Sequence, residues 1–297
     1  MLKTCYSSRY YAITHTRSME KLTAVAEVLA AEHIAELVDP GLIDINILKK
    51  LHNPAYVDAF VQGQKPLACM QGFKNWSPQL RDAILSVQAG QIVASEIALK
   101  DGISANIAQG FHHAVYEYGG SYCTFNGLAL IAQHYPDKKI FILDCDQHGG
   151  NGTAEFSAKM ENLFNFTIFG HRFGCMSHER SITHHIDQNT GNFEQYIAAI
   201  DAGFAQALEW QADLIIYQAG MDCHKADRFG SRWIDATIMF ERDKYVFEQA
   251  KKLNLPLMFV LAGGYQPLQT LVPLHVNTFI AANEVYFPEH QQPKAQL

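Results

Sequence analysis

The chain has 297 residues, of which 48% are hydrophobic and 18% charged, and its formal net charge is −7. That apolar fraction supports a large core and excludes a disordered chain, while an acidic balance with no Lys/Arg cluster argues against direct nucleic-acid binding. No Pro/Gly/Ser-rich linker divides the halves, so a single domain over 1–297 is expected, with a polar tail from about 288.

The N-terminal MLKTCYSSRYYAITHTR lacks the apolar core of a signal peptide. No run approaches the roughly 18 uninterrupted apolar residues of a membrane span, so no membrane partner and a cytoplasmic location are expected. Six cysteines (Cys5, Cys69, Cys123, Cys145, Cys175, Cys223) contain no C-x-x-C pair, which suits reduced thiols. Ser77 and Pro78 open a helix as N-cap and first helical residue, and Leu80, Ile84, Val87, Ala94 and Ile97 recur at helical spacing until Asp101-Gly102. A short apolar run, 103–110, then leads into Phe111-His112-His113. The next, 139–144, ends in Asp144, Asp146 and His148, and 165–170 follows it. A helix is expected from Asn192 to Gln211, a strand over 212–220 running into Asp222, a helix from Asp235 to Lys252, and a strand over 256–264 running into Tyr265.

Strands alternating with crossover-length helices imply α/β architecture with a mainly parallel sheet covered on both faces. Ligands of such sheets bind beyond the carboxyl ends of the strands, and there the unusual polar residues collect.

In extended backbone Asp146 and His148 project to one side, and Asp222 can converge on them from a neighbouring strand. Two carboxylates at an apolar sheet edge repel and are costly to desolvate, and no Lys or Arg lies within two residues of them to neutralise them; a divalent cation removes that cost. Two oxygens and one nitrogen leave an open position, the catalytic arrangement, for which zinc is the first expectation and iron(II), cobalt and manganese fit the same ligand types. Cys145 faces away from these carboxylates on a strand and is expected to be a small buried hydrophobe. His112 and His113 titrate in the range needed to take a proton from water and return it to a leaving group. Asp144 can accept the ring N–H of one of them and Asn151 can orient the other. Tyr265, after Gly263-Gly264, can donate a hydrogen bond to a developing oxyanion.

Four segments occur in order: GFHHA (110–114), LDCDQHGGNGT (143–153), AGMDCHKADRFG (219–230) and LAGGYQ (261–266). Together they resemble the zinc-dependent histone deacetylase family and its bacterial deacetylase-like relatives, from about Tyr10 to Phe287. WSP (76–78), HGGNGT and AGGYQ look most like the class IV branch. The resemblance implies an arginase-like three-layer α/β/α sandwich. It implies one zinc ion on Asp146, His148 and Asp222, with His113 as general base and His112 as its electrostatic partner. By the same resemblance Tyr265 polarises the scissile carbonyl, Asp144 and Asn151 orient the histidines, and Tyr122 lines the acyl-lysine tunnel where the family usually has phenylalanine. The implied substrate is an acyl-lysine protein or peptide, or a small acylated amine such as an acetylpolyamine. A catalytically silent binding module is the third alternative.

Departures from the family pattern are specific. Asn151 is Asp in class I members, and Gly149 stands where many members have a second His. Relatives often bind a structural potassium near the segment matching Asp144; Phe169 replaces an oxygen-bearing side chain of some of them, which leaves that ion open. The binuclear manganese ureohydrolases carry a further Asp at the positions of Gly150 and His224, so one metal is expected here.

Overall fold

The structure, a computed structural model, describes residues 1–16 and 18–290. The polar tail expected from about 288 therefore lies, beyond His290, outside the described residues. Eight strands form one sheet: β1 (Leu2–Cys5), β2 (Ala35–Val38), β3 (Ile103–Asn106), β4 (Ile140–Asp144), β5 (Leu163–Phe169), β6 (Ser181–His185), β7 (Leu214–Gly220) and β8 (Leu257–Ala262). Their order is β2-β1-β3-β8-β7-β4-β5-β6, and every pair is parallel. Parallel neighbours need crossovers, and the helices supply them in two groups, one to each face. One group contains α1 (Glu20–Ala31), α7 (Phe193–Glu209), α8 (Ala236–Lys252) and α9 (Leu268–Tyr286); the other contains α2 (Ile45–Leu51), α3 (Pro54–Gln62), α4 (Pro78–Asp101), α5 (Gly127–His134) and α6 (Asn151–Lys159). The result is the expected α/β/α sandwich.

The five strands read from the sequence are β3, β4, β5, β7 and β8, and every residue of each is buried. The first expected run overshoots, since β3 ends at Asn106. The edge strands β2 and β6 and the short strand β1 beside β2 carried no periodic signal; β6 reads Ser-Ile-Thr-His-His, too polar to look like a strand outside a sheet. The three expected helices begin at their caps. Ser77 Oγ accepts from Leu80 N at 3.0 Å, Asn192 forms a capping box with Gln195, and Asp235 accepts from Thr237 and Ile238. Gly102 ends α4 at φ 88°, where a side chain would be strained.

Sheet and helices are locked by aromatic packing. The Phe259 ring on β8 lies 5.2 Å from Phe247 of α8 and 4.9 Å from Phe279 of α9. Burying a side chain of this kind contributes about 1.5–3 kcal/mol, and truncating it to Ala costs about 3–5 kcal/mol. The four central strands, β3, β8, β7 and β4, direct their carboxyl ends to one edge. No helix among the described residues is long and apolar enough to cross a membrane.

Candidate metal centre and active site

Beyond β3 the chain turns sharply at Phe111, whose φ of 58° is rare for a non-glycine residue and whose ring is buried. The turn presents two consecutive imidazoles with centroids 4.0 Å apart. Asp144 Oδ2, at the end of β4, lies 2.7 Å from His112 Nδ1, and Asn151 Oδ1, at the start of α6, lies 2.7 Å from His113 Nδ1. The partners set different charge states. Burial opposes a charge on His112, but Asp144 and Asp146 outweigh it and raise its pKa. For His113, burial and then the charge of His112 dominate, and its pKa falls to about 3.

Asp146, His148 and Asp222 offer two carboxylate oxygens and an imidazole nitrogen that all lie within 4.8 Å of one another. Their route to convergence differs from the expected alternation on a strand. β4 stops at Asp144, and Asp146 Oδ1 accepts from His148 N at 3.0 Å, so a side-chain-capped turn aims them together. Asp144 Oδ1 accepts from Asp146 N at 3.0 Å and from Gln218 Nε2 at 3.2 Å, and Asp222 Oδ1 accepts from Gln147 N at 3.0 Å. Cys145, between the carboxylates, is fully buried, and its thiol is pushed up to about 12 by burial.

The electrostatics fit a cation. Asp222 is pushed up to about 6 by burial and by Asp146. Burial opposes a charge on His148, yet Asp146 and Asp222, each 3.0 Å from Nδ1, push it up to about 10. Asp222 Oδ2 is buried, and His148 Nδ1, which it shares with Asp146, is its polar neighbour among the described residues. Gly263 (φ 51°) must be glycine, because a Cβ there would stand 2.3 Å from the Asp222 carboxylate. These donors suit one divalent ion, and Gly150 and His224 add none to the cluster. A Cβ on Gly150 would stand 2.9 Å from Asp144 Oδ2, so a side chain is not accommodated there.

The expectation that no Lys or Arg serves these carboxylates fails on two counts: the segment 219–230 itself carries Lys225 and Arg228, and the fold brings in a third cation. Lys21 of α1 is buried, and its Nζ donates to the Gly263 carbonyl. Burial pushes it down to about 8, against Asp222, Asp146 and Asp227, which favour its charge. It makes no ion pair among the described residues and leaves the three-ligand cluster open.

Tyr265 follows Gly264 (φ 88°), and its N–H donates to Asp227 Oδ2 at 2.7 Å. The residue as a whole is 38% exposed, yet desolvation at the cavity it lines, then Asp222 and Asp146, raise the phenol's pKa and keep it protonated, so it can donate. Tyr265, His112, His113 and Asp146 bound one cavity of about 10 Å³, with Phe111, Cys123 and Gln218 among its other walls. Tyr122 does not line this inner cavity. Its φ is 66°, and its ring packs 5.7 Å from His15 and 5.8 Å from Phe73. Phe169 lies against His185, while Thr167 is the residue in register with Asp144.

Sequence reasoning missed two aromatic neighbours, Phe173 and Phe229, whose centroids lie 5.3 Å from His113 and 5.0 Å from His148. Gly149 explains the first. Its N–H donates to Phe173 O at 2.7 Å, and a Cβ there would stand 2.3 Å from Gly174 O, so the missing second His leaves room for the Phe173 loop. Phe229 stood inside a quoted motif, but its order carried no signal of which way the ring faces. Also missed was Arg242, fully buried behind the site, which donates to Gly220 O at 3.0 Å and to Cys223 Sγ at 3.1 Å on either side of Asp222.

Residues 15–279 match the family model described as a histone deacetylase domain. The chain is 30% identical over 266 residues to an uncharacterised protein of Picosynechococcus, covering 84% of this chain and 86% of that one. It is 28% identical to histone deacetylase 2 of Arabidopsis thaliana over 59% of this chain, and spans about half, 48%, of that relative. In fold it superimposes on an acetylpolyamine aminohydrolase from Burkholderia pseudomallei with a TM-score of 0.75 at 14% identity, covering 96% of this chain and 99% of that one.

Proposed function

The chain belongs to the histone deacetylase family, and from that premise we propose that it is a mononuclear zinc amidohydrolase that removes a short acyl group from a lysine side chain. The observation that carries this reading is one cavity lined by the His112-His113 pair, Tyr265 and Asp146, the last of which belongs to the Asp146-His148-Asp222 cluster. Asp146, His148 and Asp222 would hold the ion, which when bound supplies Lewis acidity and a more acidic water.

The chain's own groups divide the remaining work. Asn151 occupies Nδ1 of His113, leaving Nε2 to take a proton from the attacking water and return it to the departing amine. His112, favoured as imidazolium by Asp144 and Asp146, stabilises negative charge on the carbonyl side. Tyr265 donates its hydroxyl proton to the developing oxyanion, a contact worth about 3–4 kcal/mol in comparable sites. A cavity of about 10 Å³ has room for roughly one water, which favours acetyl over long acyl chains. The presence of Tyr265 counts against a silent binding module.

The test is hydrolysis by zinc-loaded protein of lysine peptides carrying acetyl, butyryl and octanoyl groups. Acetyl is expected to be turned over at least tenfold faster than octanoyl. Failure to cleave any of them at measured full zinc occupancy rejects the reading.

A further inference from the structure

Resting on that reading, we propose that Arg228 is a specificity-determining residue that reads the far end of the acylated amine, preferring a carboxylate or peptide carbonyl and rejecting a second ammonium. The geometry starts from its stacking. The Arg228 guanidinium carbon lies 4.6 Å from the centroid of Phe229 and 5.1 Å from that of Tyr265. Those two rings stand 5.5 Å apart, edge to face, so one cation stacks on both Tyr265, which lines the cavity, and Phe229, which lies against His148.

Its position is held from both sides. Asp227 Oδ1 accepts from Phe229 N at 3.0 Å and Oδ2 from Tyr265 N at 2.7 Å. Gln147, between the ligands Asp146 and His148, donates from Nε2 to Phe229 O at 2.7 Å. The residues before and after Arg228 are thus tied to the metal loop and to the tyrosine turn, while Arg228 itself is exposed.

The charge is also unspent. Among the described residues Arg228 makes no ion pair, whereas its neighbour Lys225 lies 3.4 Å from Asp235. Asp227, the adjacent acid, is buried and already committed to two backbone N–H groups. Across the site Arg172 precedes Phe173, and its only side-chain partner among the described residues is His185 Nδ1 at 3.3 Å. Two guanidiniums without carboxylate partners therefore flank the aromatic walls in a chain of net charge −7.

Chemistry makes this decisive between two substrates. In an acyl-lysine, four methylenes separate the amide nitrogen from a backbone carbon bearing a carbonyl. In an acylputrescine the same four methylenes lead to an ammonium. A guanidinium at the rim attracts the first and repels the second, a modest effect at an exposed site.

The experiment compares zinc-loaded wild type, Arg228→Ala and Arg228→Glu on three probes. These are Nα-blocked Nε-acetyl-lysine with a free carboxylate, its carboxamide, and N-acetylputrescine. Wild type should prefer them in that order. Arg228→Ala should raise KM for the carboxylate roughly twofold to fivefold, lower it for acetylputrescine, and act on KM more than on kcat; Arg228→Glu should favour acetylputrescine. Unchanged ratios overturn the proposal, as does an equal fall of kcat on all three probes, the mark of a residue that only props Tyr265. Binding of Nα-acetyl-lysine against putrescine, followed by NMR line broadening, reads the same preference without turnover. If nothing is hydrolysed the amidohydrolase reading fails, while an Arg228-dependent preference for the carboxylate still supports the mouth assignment and equal binding still overturns it.

Discussion

Asn151 Oδ1 lies 2.7 Å from His113 Nδ1, so an amide orients the imidazole without adding a charge to it. Its neighbour His112 faces a carboxylate at the same distance. Asn151→Asp should therefore raise the pKa of His113 from its depressed value near 3, because an adjacent opposite charge favours the imidazolium. The acidic limb of kcat/KM against pH should move up by about one unit or more. A profile that superimposes on the wild type rejects His113 as the titrating base.

Asp222 carries a buried oxygen whose polar neighbour among the described residues is His148 Nδ1, shared with Asp146, so its isosteric amide should fold yet hold metal poorly. Asp222→Asn should weaken zinc affinity by at least about a hundredfold, read by competition with a chelating dye. Zinc at about 100 times its dissociation constant should stabilise the wild type by about 2.7 kcal/mol and the variant far less. Equal thermal shifts in both proteins reject the proposed ligand set.

Tyr265→Phe removes one hydroxyl whose proton is retained by desolvation at the cavity wall and by the neighbouring carboxylates. A fall in kcat of about 10²–10³-fold with unchanged zinc content is expected. Metal analysis and turnover on the same sample separate this from loss of the ion.

Asp243 accepts from Arg242 Nε at 2.9 Å, Tyr217 OH at 2.5 Å and Thr278 Oγ1 at 2.6 Å, all buried. Replacing it with Ala strands a guanidinium that also holds Gly220 O and Cys223 Sγ around Asp222. A loss of about 3–5 kcal/mol in urea unfolding is expected. A loss below about 1 kcal/mol would mean that Arg242 finds other compensation.

His52 is buried, with Nδ1 2.9 Å from Val115 O and Nε2 accepting from Asn126 N at 3.0 Å, and burial pushes its pKa down to about 4. The unfolded chain takes up a proton near pH 6.5 and the folded chain does not, so the stability held above pH 6.5 drains away as pH falls to about 4. The loss amounts to a few kcal/mol, and buried His275, also depressed by burial, adds the same sign. Thermal melts from pH 8 to 4 should show a shallower acid slope in His52→Gln than in the wild type; equal slopes reject the contribution.

Much of the architecture was legible before any coordinates because buried parallel strands are apolar on both faces. Runs such as β7 and β8 announce themselves, and Asn192 and Asp235 mark helix starts by cap chemistry that is local. The candidate metal cluster Asp146-His148-Asp222 was legible for a similar reason. Carboxylates and an imidazole directly after such strands break a strong pattern, so their cost points to a compensating ion.

What the sequence determined by itself was thus the order of strands and helices and the identity of the polar residues at one sheet edge. Only tertiary structure decided how those residues meet: the turn that aims Asp146 and His148, the glycine at 149 that admits Phe173, and the cation brought by Lys21. Lys21 and Gly263 are 242 residues apart, and a buried charge on a helix has no local signature. Its value depends on which backbone carbonyls and carboxylates the fold brings beside it, and that is set by long-range packing and desolvation rather than by neighbours in the chain.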